Sequence, residues 1–242
     1  MRILITNDDG YDALGIKLLT FWARKLGDVT VVAPKTEQSG TSHAIDFIHP
    51  TEIKKVHSED GLTVYSMAST PADCVRFGIL GLNQKYDVVL SGINRGVNVG
   101  EDIVYSGTIG AIFEAAKNKT PAIAFSAFFD GQTEAAEYLD DAYKFICDNN
   151  LLDKNPLYNV NIPKKATEIR MTYQGTQYFS DRFEKAGEDM YIQTGEQIPD
   201  ECPNDLNRDT VAVHNGIISI TPLLHTRTNF EIIKSHSKTV KL

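Results

Sequence analysis

The chain predicts an α/β fold: a doubly wound, mostly parallel sheet of Rossmann-like class, with a C-terminal β-hairpin extension and a tail helix. Three observations point there. Short aliphatic runs recur at residues 3–5, 29–33, 87–91 and 122–126, as strands buried on both faces require. Stretches of helical period lie between them. Polar loops follow the strands, where an open α/β sheet binds its ligands.

The first strand leads into Asn7-Asp8-Asp9-Gly10, and a helix follows from about Gly15 with Ile16, Leu19, Ala23 and Leu26 on one face. Gly27 supplies its stop, and residues 29–33 complete a βαβ unit. The first turn lacks the G-x-G-x-x-G of a dinucleotide fold. Residues 34–43 form a polar loop at the end of strand two, carrying Ser39 and His43. A lone histidine in such a loop is more often a hydrogen-bonded structural group than a catalyst. Residues 45–66 alternate and break at Pro50 and Gly61, consistent with short strands or a hairpin.

Thr70-Pro71-Ala72-Asp73 opens a helix, with Thr70 as its cap, Pro71 at the first position, and Val75, Ile79 and Leu82 inward. After the strand at 87–91, five of the 17 glycines (92, 96, 100, 107 and 110) fall within nineteen positions. Glycines let backbone amides close around an anion. The helix that follows carries Ile109, Ile112, Phe113 and Ala116 inward, and its start offers Ser106, Gly107 and Thr108 to a phosphate. A strand at 122–126, a helix over 134–149 with Ala135, Leu139, Ala142 and Ile146 in register, and a strand near 158–163 continue the alternation.

The whole of 1–242 reads as one domain. Residues 172–208 are polar, tyrosine-bearing and short of aliphatics, an extended hairpin excursion. Residues 209–242 bring back one apolar strand (216–223) and a basic tail helix from about Thr226, both expected to serve oligomerisation.

Composition narrows the function. With 42% hydrophobic and 23% charged residues the chain is ordinary for a globular domain. Its net charge of −8 argues against a nucleic-acid polymer as partner. Three cysteines without C-x-x-C spacing suggest neither a disulfide framework nor a zinc ribbon. No apolar run spans a bilayer, and the N-terminus enters a strand without a signal-peptide pattern, so a cytoplasmic protein is expected.

Asp8 and Asp9, Ser39, Asn94 and the loop from Asn98 to Thr108 all follow strand ends and could meet. Adjacent carboxylates repel, and holding both ionised calls for a cation; read alone, the same residues also suit a turn and a helix cap. Two carboxylates, a hydroxyl and an amide oxygen favour a hard cation such as Mg²⁺, Mn²⁺ or Ca²⁺. Such a cation beside an amide-lined anion pocket suits phosphoester hydrolysis.

These segments resemble the SurE family (survival protein E), the 5′/3′-nucleotidases. The matching stretches are Ile5-Thr6-Asn7-Asp8-Asp9-Gly10-Tyr11, Ala33-Pro34 with Gln38-Ser39-Gly40, Thr70-Pro71-Ala72-Asp73-Cys74-Val75, Ser91-Gly92-Ile93-Asn94-Arg95-Gly96 with Asn98 and Gly100, Tyr105-Ser106-Gly107-Thr108, Asn159-Val160-Asn161 and Ser219-Ile220-Thr221-Pro222-Leu223. The resemblance implies one divalent cation held by Asp8, Asp9, Ser39 and Asn94, with Asp8 and Asp9 catalytic and the substrate phosphate near Asn98, Ser106, Gly107 and Thr108. It also implies a cytoplasmic phosphomonoesterase that hydrolyses nucleoside 5′- and 3′-monophosphates. Attack by a metal-activated water is the favoured route, and Asp8 or a serine acting as a covalent nucleophile is the alternative. A homodimer or homotetramer is the implied assembly. Two other readings compete: a response-regulator receiver, which would be about half this length and leaves the glycine loop unexplained, and a non-catalytic nucleotide- or metal-binding sensor.

Overall fold

In the structure, a computed structural model, residues 1–235 are described; the part of the expected tail helix beyond Ser235 lies outside them. β1 (Arg2–Thr6), α1 (Leu14–Ala23) and β2 (Asp28–Pro34) form the opening βαβ unit. α1 ends before Leu26, which still packs against the core from the turn that follows. β3 (Ile53–Glu59) and β4 (Leu62–Met67) are the hairpin that the alternation at 45–66 predicts, turning at Gly61.

α2 (Pro71–Arg76) starts as its sequence dictates. The Thr70 hydroxyl accepts the Asp73 amide, and Pro71 occupies the first turn, where a missing N–H does no harm. β5 (Val88–Arg95) runs four residues past the expected strand. α3 (Gly107–Lys117) and β6 (Ala122–Ala127) come next. The single helix expected over 134–149 is two, α4 (Gln132–Glu137) and α5 (Leu139–Asp148), broken at Tyr138. Ala135, Leu139, Ala142 and Ile146 are nevertheless all fully buried, so the helical spacing was a sound guide to the inward face.

α6 (Leu151–Lys154) leads to β7 (Leu157–Ile162), and β8 (Glu168–Met171) is a short edge strand absent from the sequence reading. At four half-exposed residues it carries too little pattern to stand out. β9 (Phe179–Gly187) and β10 (Met190–Gln197) are the expected hairpin, forming a separate two-stranded sheet. α7 (Asp209–Ala212), β11 (Ile217–Pro222) and α8 (Phe230–Ser235) close the described chain.

Nine strands build the main sheet in the order β3-β4-β2-β1-β5-β6-β7-β11-β8. It is parallel from β4 through β7 and antiparallel at β3–β4 and β7–β11. Helices cover both faces. Ile3 and Ile5 pack with residues of α1, α4 and α5, whereas Leu4 between them packs with α2 and α3. This alternation on a strand with no exposed aliphatic is the signature of a doubly wound sheet.

Candidate active site

From β1 the chain moves to β2 on one side, and β5 later takes the other. The crevice at the carboxyl ends of β1 and β5 is therefore a topological switch point, where open α/β sheets bind ligands. Asp8 and Asp9 leave β1 into this crevice. Asn94 enters it from β5, whose register jumps between the Ser91–Ala124 and Asn94–Ser126 pairs. Asn7 closes the turn: its Nδ2 donates to the Gly10 carbonyl (2.9 Å), and its Oδ1 accepts the Gly10 amide (3.3 Å). The turn reading thus holds for Asn7, but neither aspartate caps α1.

Asp8 is 4% exposed. Its Oδ1 accepts the Thr108 hydroxyl at 2.6 Å and its Oδ2 accepts the Thr108 amide at 3.2 Å, so the N-terminus of α3 is aimed at this carboxylate. A Cβ on Gly107 would lie 3.0 Å from Asp8 Cβ and 3.1 Å from its Oδ2, so any larger residue would have to displace this carboxylate by a few tenths of an ångström. Burial still outweighs these bonds and raises the Asp8 pKa. Burial first, and then the charge of Asp8, push Asp9 up to about 6, although the Arg95 amide donates to its Oδ2 at 3.1 Å. Two carboxylates that both resist ionisation lack a counter-charge.

A cavity of about 590 Å³ gathers Asp8, Ser39, Asn94, Asn98 and Ser106, with Tyr178, Phe179 and Asp181 as its wall at the hairpin base. Asp9 lines an adjoining cavity of about 500 Å³ with Glu37, and Arg95 borders both. Gly107 and Thr108 are buried behind Asp8 and do not line either space. Thr108 bonds the Asp8 carboxylate through its amide and its hydroxyl. The Ser39 hydroxyl donates to Glu37 Oε1 (2.7 Å), and Asn94 Nδ2 donates to the Gly96 carbonyl (2.8 Å). Each bond directs a proton away and leaves an oxygen to accept. Among the described residues no three His, Cys, Asp or Glu are grouped to hold a metal ion. The set here is two carboxylates, a hydroxyl and an amide, donors suited to a hard cation.

The glycine loop is less open than its composition suggests. The amides of Gly96, Gly100 and Gly110 already have partners in the Ala127 carbonyl, the Asp209 carboxylate and the Ser106 carbonyl. Gly100, at φ +62°, sits where a Cβ would be 2.0 Å from the Thr176 carbonyl. Gly100 and Gly110 admit neighbouring chain, and the amides of all three are engaged rather than open to an anion.

Asn98 is clamped from beneath by β7. Its amide donates to Asn161 Oδ1, and its carbonyl accepts both Asn159 Nδ2 and Asn161 Nδ2, all at 2.8 Å. Its own Nδ2 donates to Ser126 Oγ at 2.9 Å. The role of Asn159 and Asn161 had a signal in the sequence, two amides on one face of a buried strand; Glu37, Ser126 and Asp181 had none. His43 is structural, 2.9 Å from the buried Glu114 carboxylate that also binds Arg76.

Comparison with known proteins fits this frame. The family model described as "Survival protein SurE" matches residues 3–181. The chain belongs to the SurE family. A relative named "5'-nucleotidase SurE" from Thermoanaerobacter sp. (strain X514) is 41% identical, with 96% of each chain covered. A protein of the same name from Caldanaerobacter subterraneus subsp. tengcongensis is 39% identical over 97% of this chain and 96% of its own. The crystal structure of the family's Aquifex aeolicus protein superimposes with a TM-score of 0.82 at 34% identity, covering 98% of each chain. The receiver reading falls with these matches, which run the length of the chain.

The clamp yields a test. Asn161→Ala removes two partly buried hydrogen bonds to Asn98 and should lower stability by about 2 kcal/mol in denaturant titration. Amide exchange should accelerate at 98–100 and stay slow in β1.

Proposed function

We propose that this chain is a divalent-cation-dependent 5′-nucleotidase, a phosphoric monoester hydrolase that cleaves nucleoside monophosphates to nucleoside and phosphate. The observation that carries the reading is the pair Asp8 and Asp9 at the switch point, both with raised pKa, with Ser39 and Asn94 lining the same cavity as Asp8, and Asp9 lining the adjoining one. The full-length relatives bearing the nucleotidase name support the reaction class.

Asp8, Asp9, Ser39 and Asn94 would hold the cation. Once bound, it would polarise a phosphoryl oxygen and lower the pKa of an attacking water. The chain's own residues do the rest. Thr108 fixes the Asp8 carboxylate through two bonds, so that it need not reorganise during the reaction. Ser106 and Asn98 line the cavity where the phosphate would enter, and the β7 amides keep Asn98 in place. Tyr178 and Phe179 offer apolar surface to the nucleoside end.

Self-association and a cytoplasmic setting complete the proposal. Phe183, Met190, Tyr191 and Ile192 on the hairpin, and Phe230, Ile232 and Ile233 on α8, are exposed aromatic and aliphatic residues. An isolated two-stranded hairpin is marginal in water, so a homodimer or homotetramer would cover them. All three cysteines are free, as a reducing compartment favours. Among the described residues no helix is long and apolar enough to cross a membrane.

Three outcomes are expected. Phosphate release from a nucleoside 5′-monophosphate with Mn²⁺ should vanish in Asp8→Asn while the fold survives; full activity of that variant in chelator would refute the metal role. The sign of the second follows from Asp9. Its pKa is raised from 3.8 to about 6, so the cation-free protein loses stability as pH rises through that interval. A cation competes with that proton, so Mn²⁺ should raise Tm more at pH 7.5 than at pH 5. Asp209, also raised to about 6 by burial, adds to the cation-free slope, but its carboxylate is occupied by the Gly100 and Gly175 amides. Light scattering should give a dimer or larger, and deletion from Thr226 onward should weaken it; a monomer at micromolar concentration would refute the assembly.

A further inference from the structure

We propose that Arg95 is the phosphate anchor of this site, held ready by stacking on Phe129. The proposal rests on the nucleotidase reading above and goes further, naming the group that meets the substrate's charge. Two carboxylates and one divalent cation cancel in charge. A phosphate monoester, a dianion near neutral pH, then needs a positive partner that the cation set does not supply.

Among the described residues, Arg95 is the only Lys, Arg or His lining the 590 Å³ cavity, whose other charged residues are Asp8, Asp102 and Asp181. Its main chain is pinned at the centre of the site, because its amide donates to Asp9 Oδ2. Its side chain is exposed and, among the described residues, forms no ion pair, although Asp9, Glu37 and Asp130 line the adjoining cavity it borders. Instead the guanidinium carbon lies 3.6 Å from the centroid of the Phe129 ring. Stacking takes one face of the guanidinium and leaves the N–H edges free, in the fork geometry that matches two phosphate oxygens. It also accounts for Phe129 itself, an aromatic residue 64% exposed that lines the adjoining cavity at the border Arg95 shares with the larger one. The ring limits the swing of a long side chain that would otherwise lose its rotamer freedom on ordering. Phe129 is thus a positioning residue, and Arg95 the group that touches the substrate.

The experiment compares wild type with Arg95→Ala, Arg95→Lys, Phe129→Ala and Phe129→Tyr, each checked for unchanged Tm. With Mn²⁺ and a nucleoside 5′-monophosphate, Arg95→Ala should raise KM tenfold or more with a smaller effect on kcat. Arg95→Lys should recover part of the loss, and millimolar methylguanidinium should partly restore Arg95→Ala alone. Phe129→Ala should raise KM by a smaller factor, and Phe129→Tyr, which keeps the ring, should leave it within twofold. Calorimetric binding of inorganic phosphate to Mn²⁺-loaded protein reads the same contact without turnover, and should weaken tenfold or more in Arg95→Ala. KM and phosphate affinity within twofold of wild type in Arg95→Ala would overturn the proposal, as would a loss confined to kcat. A wild type that releases no phosphate would sink the nucleotidase reading, while the phosphate titration would still decide the role of Arg95.

Discussion

A nearly buried carboxylate held by the start of a helix is the constraint on which the site depends. Asp8 follows β1, beside the middle strand β5, and Thr108 donates hydrogen bonds to both of its side-chain oxygens. Burying a charge is costly unless donors meet it, and two bonds do not fully offset that cost, since the pKa of Asp8 remains raised. The helix must therefore come close. Gly107 permits the approach, and the Ser106 hydroxyl satisfies the next free amide, that of Ile109, at 3.2 Å. What remains unsatisfied at Asp8 and Asp9 is charge, and that is the property a divalent cation would answer.

Around this contact the protein builds rigidity. The loop after β5 is bonded to three other parts of the chain: to β6 through Ser126 and Ala127, to β7 through Asn159 and Asn161, and to α7 through Asp209. Asp102, on the same loop, accepts the amides of Tyr178 and Phe179 and so anchors the base of the hairpin that walls the cavity. A hairpin with no core of its own thus enters the site at its root, through Tyr178, Phe179 and Asp181, while its far end stays exposed. Separating a fixed root from an exposed tip lets one excursion serve both a pocket and a surface.

Much of this was legible in the chain. Continuous aliphatic runs announced the buried strands, and the helical spacing of Ala135, Leu139, Ala142 and Ile146 survived even a break in the helix. Thr70 and Pro71 marked a helix start because capping is a local interaction between near neighbours. The polar excursion at 172–208 was recognisable because a segment poor in aliphatics cannot build a core. β8 escaped because a four-residue edge strand borrows its stability from β11 and carries little pattern of its own.

The candidate site divides along the same line. By itself the sequence placed Asp8, Asp9, Ser39 and Asn94 at or near strand ends on one edge of the sheet, because strand and helix periods are set within a few residues of chain; the structure brings Asp8, Ser39 and Asn94 to one cavity and Asp9 to the adjoining one. It did not determine which partner each group faces. Thr108 looked like a phosphate contact and instead grips Asp8, one hundred residues away; the glycine amides looked open and are mostly engaged. Arg95 had no distinguishing neighbour until Phe129 was folded against it. Those pairings depend on the order of strands in the sheet and on which helix start arrives beside which carboxylate. Such contacts join residues distant in sequence, and only the packed tertiary structure decides them.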